Sequence, residues 1–161
     1  MNPKHFRIFV VRPTLEAMEM HSRSAEDLLM GTVATESGFS ALDQITGPDD
    51  ETLGPAYGFY QIEAATHLDL YTNFLKFRPE FETRLSRFIA PNPNWNIQLV
   101  TNLYYATAVA RMIYFRRPEA LPAVGDIDGY ADYYKAFFNT VAGKGSAEKF
   151  KIDWYGHGVG E

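Results

Sequence analysis

The sequence contains no cysteine, and none of its 161 residues belongs to a long apolar run. Without cysteine, neither disulfides nor thiolate metal sites can hold the fold together. The four histidines, at positions 5, 21, 67 and 157, lack the spacing of metal ligands. We therefore expect no metal and no cofactor, and a fold stabilised by the packing of its apolar residues, which make up 46% of the chain.

Positive charge is also scarce, since 15 Lys and Arg are set against 20 Asp and Glu, a formal net charge of −5. Nucleic-acid binding depends on basic side chains that neutralise phosphates, so nucleic acid is not an expected partner. The apolar run from Phe6 to Val11 is interrupted by Arg7 and is far shorter than a signal-peptide core or a membrane span. We expect a protein made in the cytoplasm without a signal peptide and with no membrane span.

A chain of this length forms one domain as a rule, so we predict a single domain over residues 1–161. Its glycine-rich end, residues 155–161, is predicted to be a disordered tail. Residues 6–11 fit either a short strand or the first turn of the next helix, because so short a run does not distinguish the two.

Helical patterns cover most of the chain and predict a mainly α fold of six or seven helices. The longest should be central, and residues 38–58, rich in Gly, Pro and Asp, should form a loop or small β-ribbon along one wall of a cleft. The predicted helices are one from Pro13, then Ala25–Ser37, Glu63–Phe77, Pro79–Phe88 and Trp95–Arg116, one capped by Asp126 that runs to Phe138, and one capped by Ser146.

The helix over Ala25–Ser37 carries the most informative residue. Ser24 followed by Asp27 predicts its start through a capping box, and Gly38 predicts its end in a left-handed conformation. Glu36 therefore lies in the last helical turn.

Leu29, Val33 and Glu36 are spaced by four and three residues, so they share one helix face. Partial burial and the negative end of the helix dipole would both raise the pKa of the Glu36 carboxyl. A carboxyl that keeps its proton near neutral pH suits a general acid for glycosidic cleavage. The simpler alternative is a terminal Glu that points into solvent, and on this helix alone the simpler alternative is favoured.

Three short motifs in order strengthen the catalytic interpretation. They are Glu36-Ser37, the turn Gly58-Phe59-Tyr60-Gln61-Ile62, and the aromatic-Asn-x-x-x-Gly segment from Phe138 to Gly143. Together they resemble the lysozyme-like superfamily, in particular the soluble lytic transglycosylases and goose-type lysozymes. The stretch GFYQIEAATHLDL is similar to phage-encoded members. One departure is Phe138, where relatives usually have Tyr before the Asn.

The resemblance implies a lysozyme-like α+β fold and an enzyme that cleaves the β-1,4 bond between N-acetylmuramic acid and N-acetylglucosamine in peptidoglycan. Glu36 would protonate the glycosidic oxygen and then act as a base, so that the product closes to an anhydro sugar, as in a lytic transglycosylase. The residues expected to bind the glycan strand are Ser37, Tyr60, Gln61, Tyr104 and Asn139. Gln61 suits this role because a side-chain amide both donates and accepts hydrogen bonds.

Other functions remain open at this level. Asp49 or Asp50 could hold a water opposite Glu36, which would make the protein an inverting lysozyme-type hydrolase. An Asp in such a loop is, however, more often a solvent-exposed residue of a turn. The acidic net charge and Phe138 also fit a bacteriophage virion component with a lysozyme-like shape and little activity, which would have other virion proteins as partners. A third alternative is a module that binds glycan without cutting it. In each case the site of action would be the bacterial cell wall.

Overall fold

A computed structural model describes residues 1–40, 54–91, 94–139 and 145–160. Within these ranges the protein is mainly α, as predicted, and it has one small two-stranded sheet. The sheet begins at Ala56, whereas the loop or ribbon was predicted over residues 38–58, of which 41–53 lie outside the described residues. The elements are α1 Pro3–Phe6, a π-helical segment Arg7–Val11, α2 Arg12–Ala17, α3 Arg23–Ser37, β1 Ala56–Tyr57, β2 Ile62–Glu63, α4 Ala64–Asn73, a 3-10 turn Leu75–Phe77, α5 Pro79–Ser86, α6 Gln98–Thr101, α7 Leu103–Phe115, α8 Ile127–Phe137 and α9 Ala147–Gly156.

The first helical region starts earlier than predicted. Pro3 lies in the first turn of α1, where its missing N–H costs no hydrogen bond, and the chain stays helical through the π-helical segment into α2. The alternative of a strand over residues 6–11 is therefore wrong, whereas Pro13 is the second residue of α2, close to the predicted start. Pro13 comes just after the π-helical segment. In a regular α-helix an interior proline removes one hydrogen bond and its ring clashes with the preceding turn, and the wider π turn gives the ring more room.

Helix α3 begins two residues earlier than predicted, because Ser22 and not Ser24 is its cap. The Ser22 hydroxyl oxygen accepts a hydrogen bond from the Ala25 N–H at 3.1 Å, while Ser24 is buried in the first turn. The predicted end is confirmed: Gly38 is left-handed, with φ 56°, and its N–H donates to the Ala34 carbonyl. Almost every residue of α3 is buried, because α7, α8 and α9 all pack on it.

The hairpin lies between α3 and α4 in the chain. Strands β1 and β2 pair antiparallel, and residues 58–61 form the turn between them. Gly58 has φ 71°, and a Cβ there would lie 1.8 Å from the carbonyl oxygen of Leu99, so the turn packs tightly against α6 and only glycine fits. The Phe59 and Tyr60 rings pack on Phe6 of α1, with centroid distances of 5.6 and 6.4 Å.

The predicted long helix over Trp95–Arg116 is wrong, because the chain breaks at Asn102 into α6 and α7. The Asn102 backbone is extended, its side-chain oxygen accepts from the Tyr105 N–H, and its amide donates to the Phe88 carbonyl at 2.7 Å. A side chain that bonds to nearby backbone in this way competes with the helix. The central helix is consequently α3, which at 15 residues is longer than the 13 residues of α7.

The caps predicted for the last two helices are confirmed: Asp126 accepts from the Gly129 N–H, and Ser146 accepts from the Lys149 N–H. The prediction of a disordered tail is wrong for residues 155–160. Helix α9 continues to Gly156, Val159 is 1% exposed, and its carbonyl accepts a hydrogen bond from Arg7. None of the helices in the described ranges combines the length and apolar character that a membrane span requires.

Candidate active site around Glu36

The C-terminal turn of α3 presents Glu36 at the edge of the core. Leu29 and Val33, on the same face, are fully buried, whereas Glu36 is half-buried. The neighbouring helices α8 and α9 approach this turn, so polar groups from three helices meet at one carboxyl group. Glu36 is therefore neither a solvated helix end nor an interior residue closed off from the surface.

Tyr134 of α8 holds one oxygen of this carboxyl group. Its hydroxyl donates to Glu36 Oε1 at 2.7 Å, and its side chain is completely buried. The Asn139 side chain, just after α8, also hydrogen-bonds to the Glu36 carboxyl. Two donors from one short stretch thus fix the orientation of the carboxyl group.

Burial raises the pKa of the Glu36 carboxyl above its ordinary value, in the direction predicted. The hydrogen bonds from Tyr134 and Asn139 and the positive charge of Lys149 oppose this rise without cancelling it. The pKa of Tyr134 is also raised, by burial and then by the nearby charge of Glu36, so its phenol keeps its proton and remains a donor. The site therefore raises the pKa of Glu36 and still provides donors for the carboxylate.

Lys149 of α9 supplies the cation at this site. Its ammonium group donates to the carbonyl oxygen of Thr35, the residue before Glu36, and pairs with Asp153. Among the described residues, Lys149 is the one charged group whose field acts on the pKa of Glu36. An anion that forms on Glu36 when it loses its proton is thus stabilised by a neighbouring positive charge.

The backbone at Gly145 closes over the two donors. A Cβ at this position would lie 2.1 Å from the Tyr134 hydroxyl and 2.5 Å from the Asn139 amide nitrogen. The Gly145 carbonyl also accepts from Lys135 at 2.9 Å, and Lys135 donates to the Asn139 side-chain oxygen at 3.3 Å. Asn139 is in this way held from both sides, which leaves its amide group aimed at Glu36.

The structure brings Glu36 and Asn139 together, although they are far apart in the sequence. Ser37 adjoins Glu36 but is buried, and its hydroxyl donates back to the Val33 carbonyl at 3.2 Å. The hydrogen bond of the Ser37 hydroxyl thus lies within α3, so the described contacts of Ser37 do not include one that would bind a ligand.

The two predicted tyrosines lie elsewhere. The Tyr60 ring is 1% exposed, and its hydroxyl donates to Thr107 within the core. That placement does not fit the predicted contact with substrate, because the ring has no free face. Tyr104 is 46% exposed and donates to the Phe9 carbonyl at 3.1 Å, so it covers the N-terminal helical region.

Gln61 occupies the last position of the hairpin turn. Its backbone is left-handed, with φ 47°, and its side-chain amide donates to the Gly58 carbonyl at 2.8 Å. The amide thus closes the turn on itself while its oxygen remains available as an acceptor. Asp49 and Asp50, the candidates for a second carboxylate, lie outside the described residues.

Tyr134 and Lys149 were not predicted as site residues. Tyr134 belongs to an aromatic stripe on α8, which is the usual pattern of a core-facing helix. Lys149 belongs to the first turn of α9, and nothing in the local pattern separates it from other surface lysines. One signal was present: Tyr134 lies one turn before Phe138, so it shares a face with the position where the resemblance expects a hydroxyl.

No cluster of three or more metal-ligating side chains occurs within the part of the chain that the structure describes. Similarity to known proteins does not assign the site either. No protein-family model, no curated protein and no solved structure matches this chain. The chemistry of the site therefore has to be argued from its own geometry.

Proposed function

We propose that this protein is a peptidoglycan-cleaving enzyme, a lytic transglycosylase in which Glu36 is the general acid and base. The observation that supports this most directly is the Glu36 carboxyl itself. It lies at the end of a buried helix, its pKa is raised by burial, and the Tyr134 hydroxyl fixes it at 2.7 Å. An acid that works near neutral pH needs such an environment.

In the proposed reaction, protonated Glu36 donates its proton to the glycosidic oxygen between N-acetylmuramic acid and N-acetylglucosamine, and that bond breaks. The resulting carboxylate then accepts the proton of a muramoyl hydroxyl, whose oxygen bonds to the anomeric carbon. The product is an anhydro sugar, and no water is consumed. A single carboxyl group serves both steps.

The contacts of Glu36 suit a group that has to exist in both protonation states. Burial favours the acid, which is needed for the first step. Tyr134, Asn139 and the charge of Lys149 favour the carboxylate, which is needed for the second. The net rise brings the pKa of Glu36 closer to neutral pH, which reduces the free-energy difference between the two states, as efficient acid–base catalysis requires.

The departure at Phe138 is less damaging to the proposal than the sequence suggests. The resemblance expects a tyrosine hydroxyl in this region, and Phe138 has none. Tyr134 places a hydroxyl on Glu36 from the preceding turn of α8, and its ring stacks on Phe138 with a centroid distance of 6.2 Å. A donor is therefore available to the acid from the same helix face.

The proposal is tested with the Glu36→Gln variant in a zymogram on purified cell walls. Wild type should clear the wall and the variant should not, because Gln has no proton to donate. A matched control is Glu80→Gln, an exposed position on α5, which should clear as wild type does. Equal clearing by Glu36→Gln and wild type would remove Glu36 from the mechanism.

Mass spectrometry of the released fragments identifies the reaction. Anhydro ends are the result that the transglycosylase proposal requires. Reducing ends would instead indicate hydrolysis, with Asp49 or Asp50 as the candidates that activate water. Absence of clearing by folded wild-type protein would favour a virion component with a lysozyme-like shape and no activity of its own.

A further inference from the structure

A second site lies at the C-terminal end of α7, apart from the contacts of Glu36. A pocket of about 260 Å³ is bordered there by two arginines, Arg111 and Arg117, and by the rings of Tyr114, Phe115 and Tyr133. The side chain of Leu121, from the segment that follows α7, adds an apolar wall. The pocket thus combines two cations with aromatic and aliphatic surface.

Arg111 is the residue that makes this pocket unusual. It is 8% exposed, and it forms neither a hydrogen bond nor an ion pair with any described residue. Transfer of a charged group from water to the interior is costly unless a counter-charge or hydrogen-bond acceptors compensate. Burial accordingly lowers the pKa of Arg111, and a negative charge in the pocket would supply the missing compensation.

Other arginines of the same chain have acidic partners that compensate their charge. Arg7, which is 5% exposed, contacts both Glu26 and Asp27 at 2.8 and 2.7 Å. Arg116, next to the pocket, pairs with Asp69. Arg117 resembles Arg111 instead, because it forms no ion pair with any described acidic residue, although the Nε atoms of Arg111, Arg116 and Arg117 are all buried without a hydrogen-bond partner.

The contacts that Arg111 and Arg117 do make are too weak to explain their placement. Arg111 lies over the Phe115 ring at 5.4 Å and Arg117 over the Phe137 ring at 5.6 Å. A cation–π contact leaves the hydrogen-bond donors of the guanidinium unused. The negative end of the α7 dipole is also near, but it amounts to only about half a charge spread over the last turn.

The acidic group that borders the pocket does not neutralise the arginines. Glu119 is exposed, and its carboxylate forms no ion pair with any described cation. Its backbone carbonyl accepts from the Tyr133 hydroxyl at 2.9 Å, which ties the segment after α7 to α8. The pocket is therefore a local region of positive charge in a protein whose net charge is −5.

We propose that this pocket binds a small organic oxyanion, a carboxylate or phosphate ester carried by an apolar group, with Arg111 and Arg117 as its anion-binding residues. A planar guanidinium offers paired donors that match the oxygens of either head group. Tyr114, Phe115 and Leu121 contact the apolar part. This pocket is separate from the proposed transglycosylase site, because neither arginine contacts Glu36.

The test uses four probes on the full chain: benzoate, phenyl phosphate, inorganic phosphate and the neutral benzamide. Isothermal titration calorimetry should show binding of benzoate and phenyl phosphate, weaker binding of inorganic phosphate because it lacks the ring, and none of benzamide. The tighter of the two ring-bearing anions identifies the head group. Binding of none of the anions, or equal binding of benzamide, would overturn the proposal.

Variants assign the binding to the pocket. Arg111→Gln should weaken benzoate binding by about tenfold or more, the scale of one lost charge-assisted hydrogen bond. Arg111→Lys should fall between Gln and wild type, since it keeps the charge without the planar fork. Arg116→Gln is the matched control, because Arg116 is adjacent but already paired, and it should bind benzoate as wild type does.

If Arg111→Gln does not fold, wild-type protein still decides the question. Benzoate should shift the amide NMR signals of residues that border the pocket, namely Phe115, Arg117, Glu119, Leu121 and Tyr133. Shifts confined to other regions, or an unchanged affinity in folded Arg111→Gln, would contradict the proposal. Glu36→Gln should bind benzoate normally, so failure of the catalytic proposal and failure of this one give different results.

Discussion

Tyr130 and Tyr134 lie on the same face of α8, but their hydroxyl groups have different surroundings. Both rings are fully buried on α8, one turn apart. The Tyr134 hydroxyl donates to Glu36, whereas the Tyr130 hydroxyl has no hydrogen-bond partner among the described residues. The stripe itself was predictable from the sequence. Which hydroxyl contacts a carboxylate was not, because that depends on how α3 packs against α8.

Replacing Tyr134 by Phe should raise the pKa of Glu36 further, because the hydrogen bond that Tyr134 donates favours the carboxylate and lowers that pKa. The pKa is measured from the carbon-13 signal of the labelled Glu36 carboxyl as a function of pH. Tyr130→Phe is the control and should leave the pKa of Glu36 as in wild type. An unchanged pKa in Tyr134→Phe would show that this hydrogen bond is absent in solution.

Among the helices, the contact between α3 and α9 sets the position of Lys149 relative to Glu36. Gly31 lies in the middle of α3, and a Cβ there would be 2.2 Å from Cζ of Phe150, the residue after Lys149. The absence of a side chain at Gly31 thus lets the two helices approach closely. The close approach brings the Lys149 ammonium group within reach of the Thr35 carbonyl.

Gly31→Ala should therefore destabilise the protein by about 1–3 kcal/mol, the usual cost of an extra methyl group in a filled core. Gly156→Ala is the matched control: Gly156 is also helical, and a Cβ there would meet no atom within 4 Å. That variant should be as stable as wild type or slightly more stable. Urea unfolding measures both, and equal stability of the two variants would contradict the close contact.

The helices also show where sequence patterns fall short. The apolar pattern continues across Asn102, so one helix was predicted where the structure has two. The break depends on a hydrogen bond to the carbonyl of Phe88, a tertiary contact that local propensity does not contain.

The start of α3 had two serine candidates two residues apart, and Ser22, with its extended backbone, is the one that accepts the capping bond. By contrast Gly38, Asp126 and Ser146 were predictable because each acts through its own backbone geometry or a bond a few residues away.

For the molecule as a whole, the two ends of α3 respond to pH in opposite ways. Near the N-terminus, burial would raise the pKa of Glu26, but hydrogen bonds from Arg12, Arg7 and His21 outweigh it and lower that pKa to about 2. Near the C-terminus, burial raises the pKa of Glu36. One helix therefore holds a carboxylate that stabilises the fold and a carboxyl group that costs stability when ionised.

The stabilisation from Glu26 should be fully present above its ordinary pKa of 4.5 and should be lost as the pH falls toward about 2. Glu26→Gln should cost about 3 kcal/mol at neutral pH, the free energy that corresponds to a pKa lowered from 4.5 to about 2, and the difference from wild type should shrink below pH 4.5. Urea unfolding at a series of pH values measures this. A difference that stays constant from neutral pH down to pH 2 would contradict it.

Glu36→Gln should change the free energy of unfolding in the opposite direction. The folded-state pKa of Glu36 is raised, so its ionisation costs stability above that pKa and costs nothing below the unfolded value. The variant should be more stable than wild type at neutral pH, and the advantage should vanish as Glu36 becomes protonated in acid. A variant less stable than wild type at neutral pH would indicate that the ionised form is not disfavoured by the fold.

The sequence predicted the helical class of the fold and placed its key carboxyl group correctly at the end of α3. Composition and periodicity are enough for that, because they specify which faces must be buried. The partners of Glu36 come from α8 and α9, far away in the chain, and their meeting depends on tertiary packing. The same limit applies to the pocket near Arg111, because the sequence gives no sign that this arginine lacks a counter-charge.

The π-helical segment Arg7–Val11 has a consequence for the ion network at the start of α3. Residues five apart on an α-helix point about 140° away from each other, whereas the wider π turn brings such residues nearly into phase. Arg7 and Arg12 are five apart, and both reach Glu26, at 2.8 and 3.0 Å. If these residues wound as an ordinary α-helix at the same spacing, one guanidinium would face away from Glu26, and this interior carboxylate would lose one of the basic side chains around it, which also include Arg23 and His21.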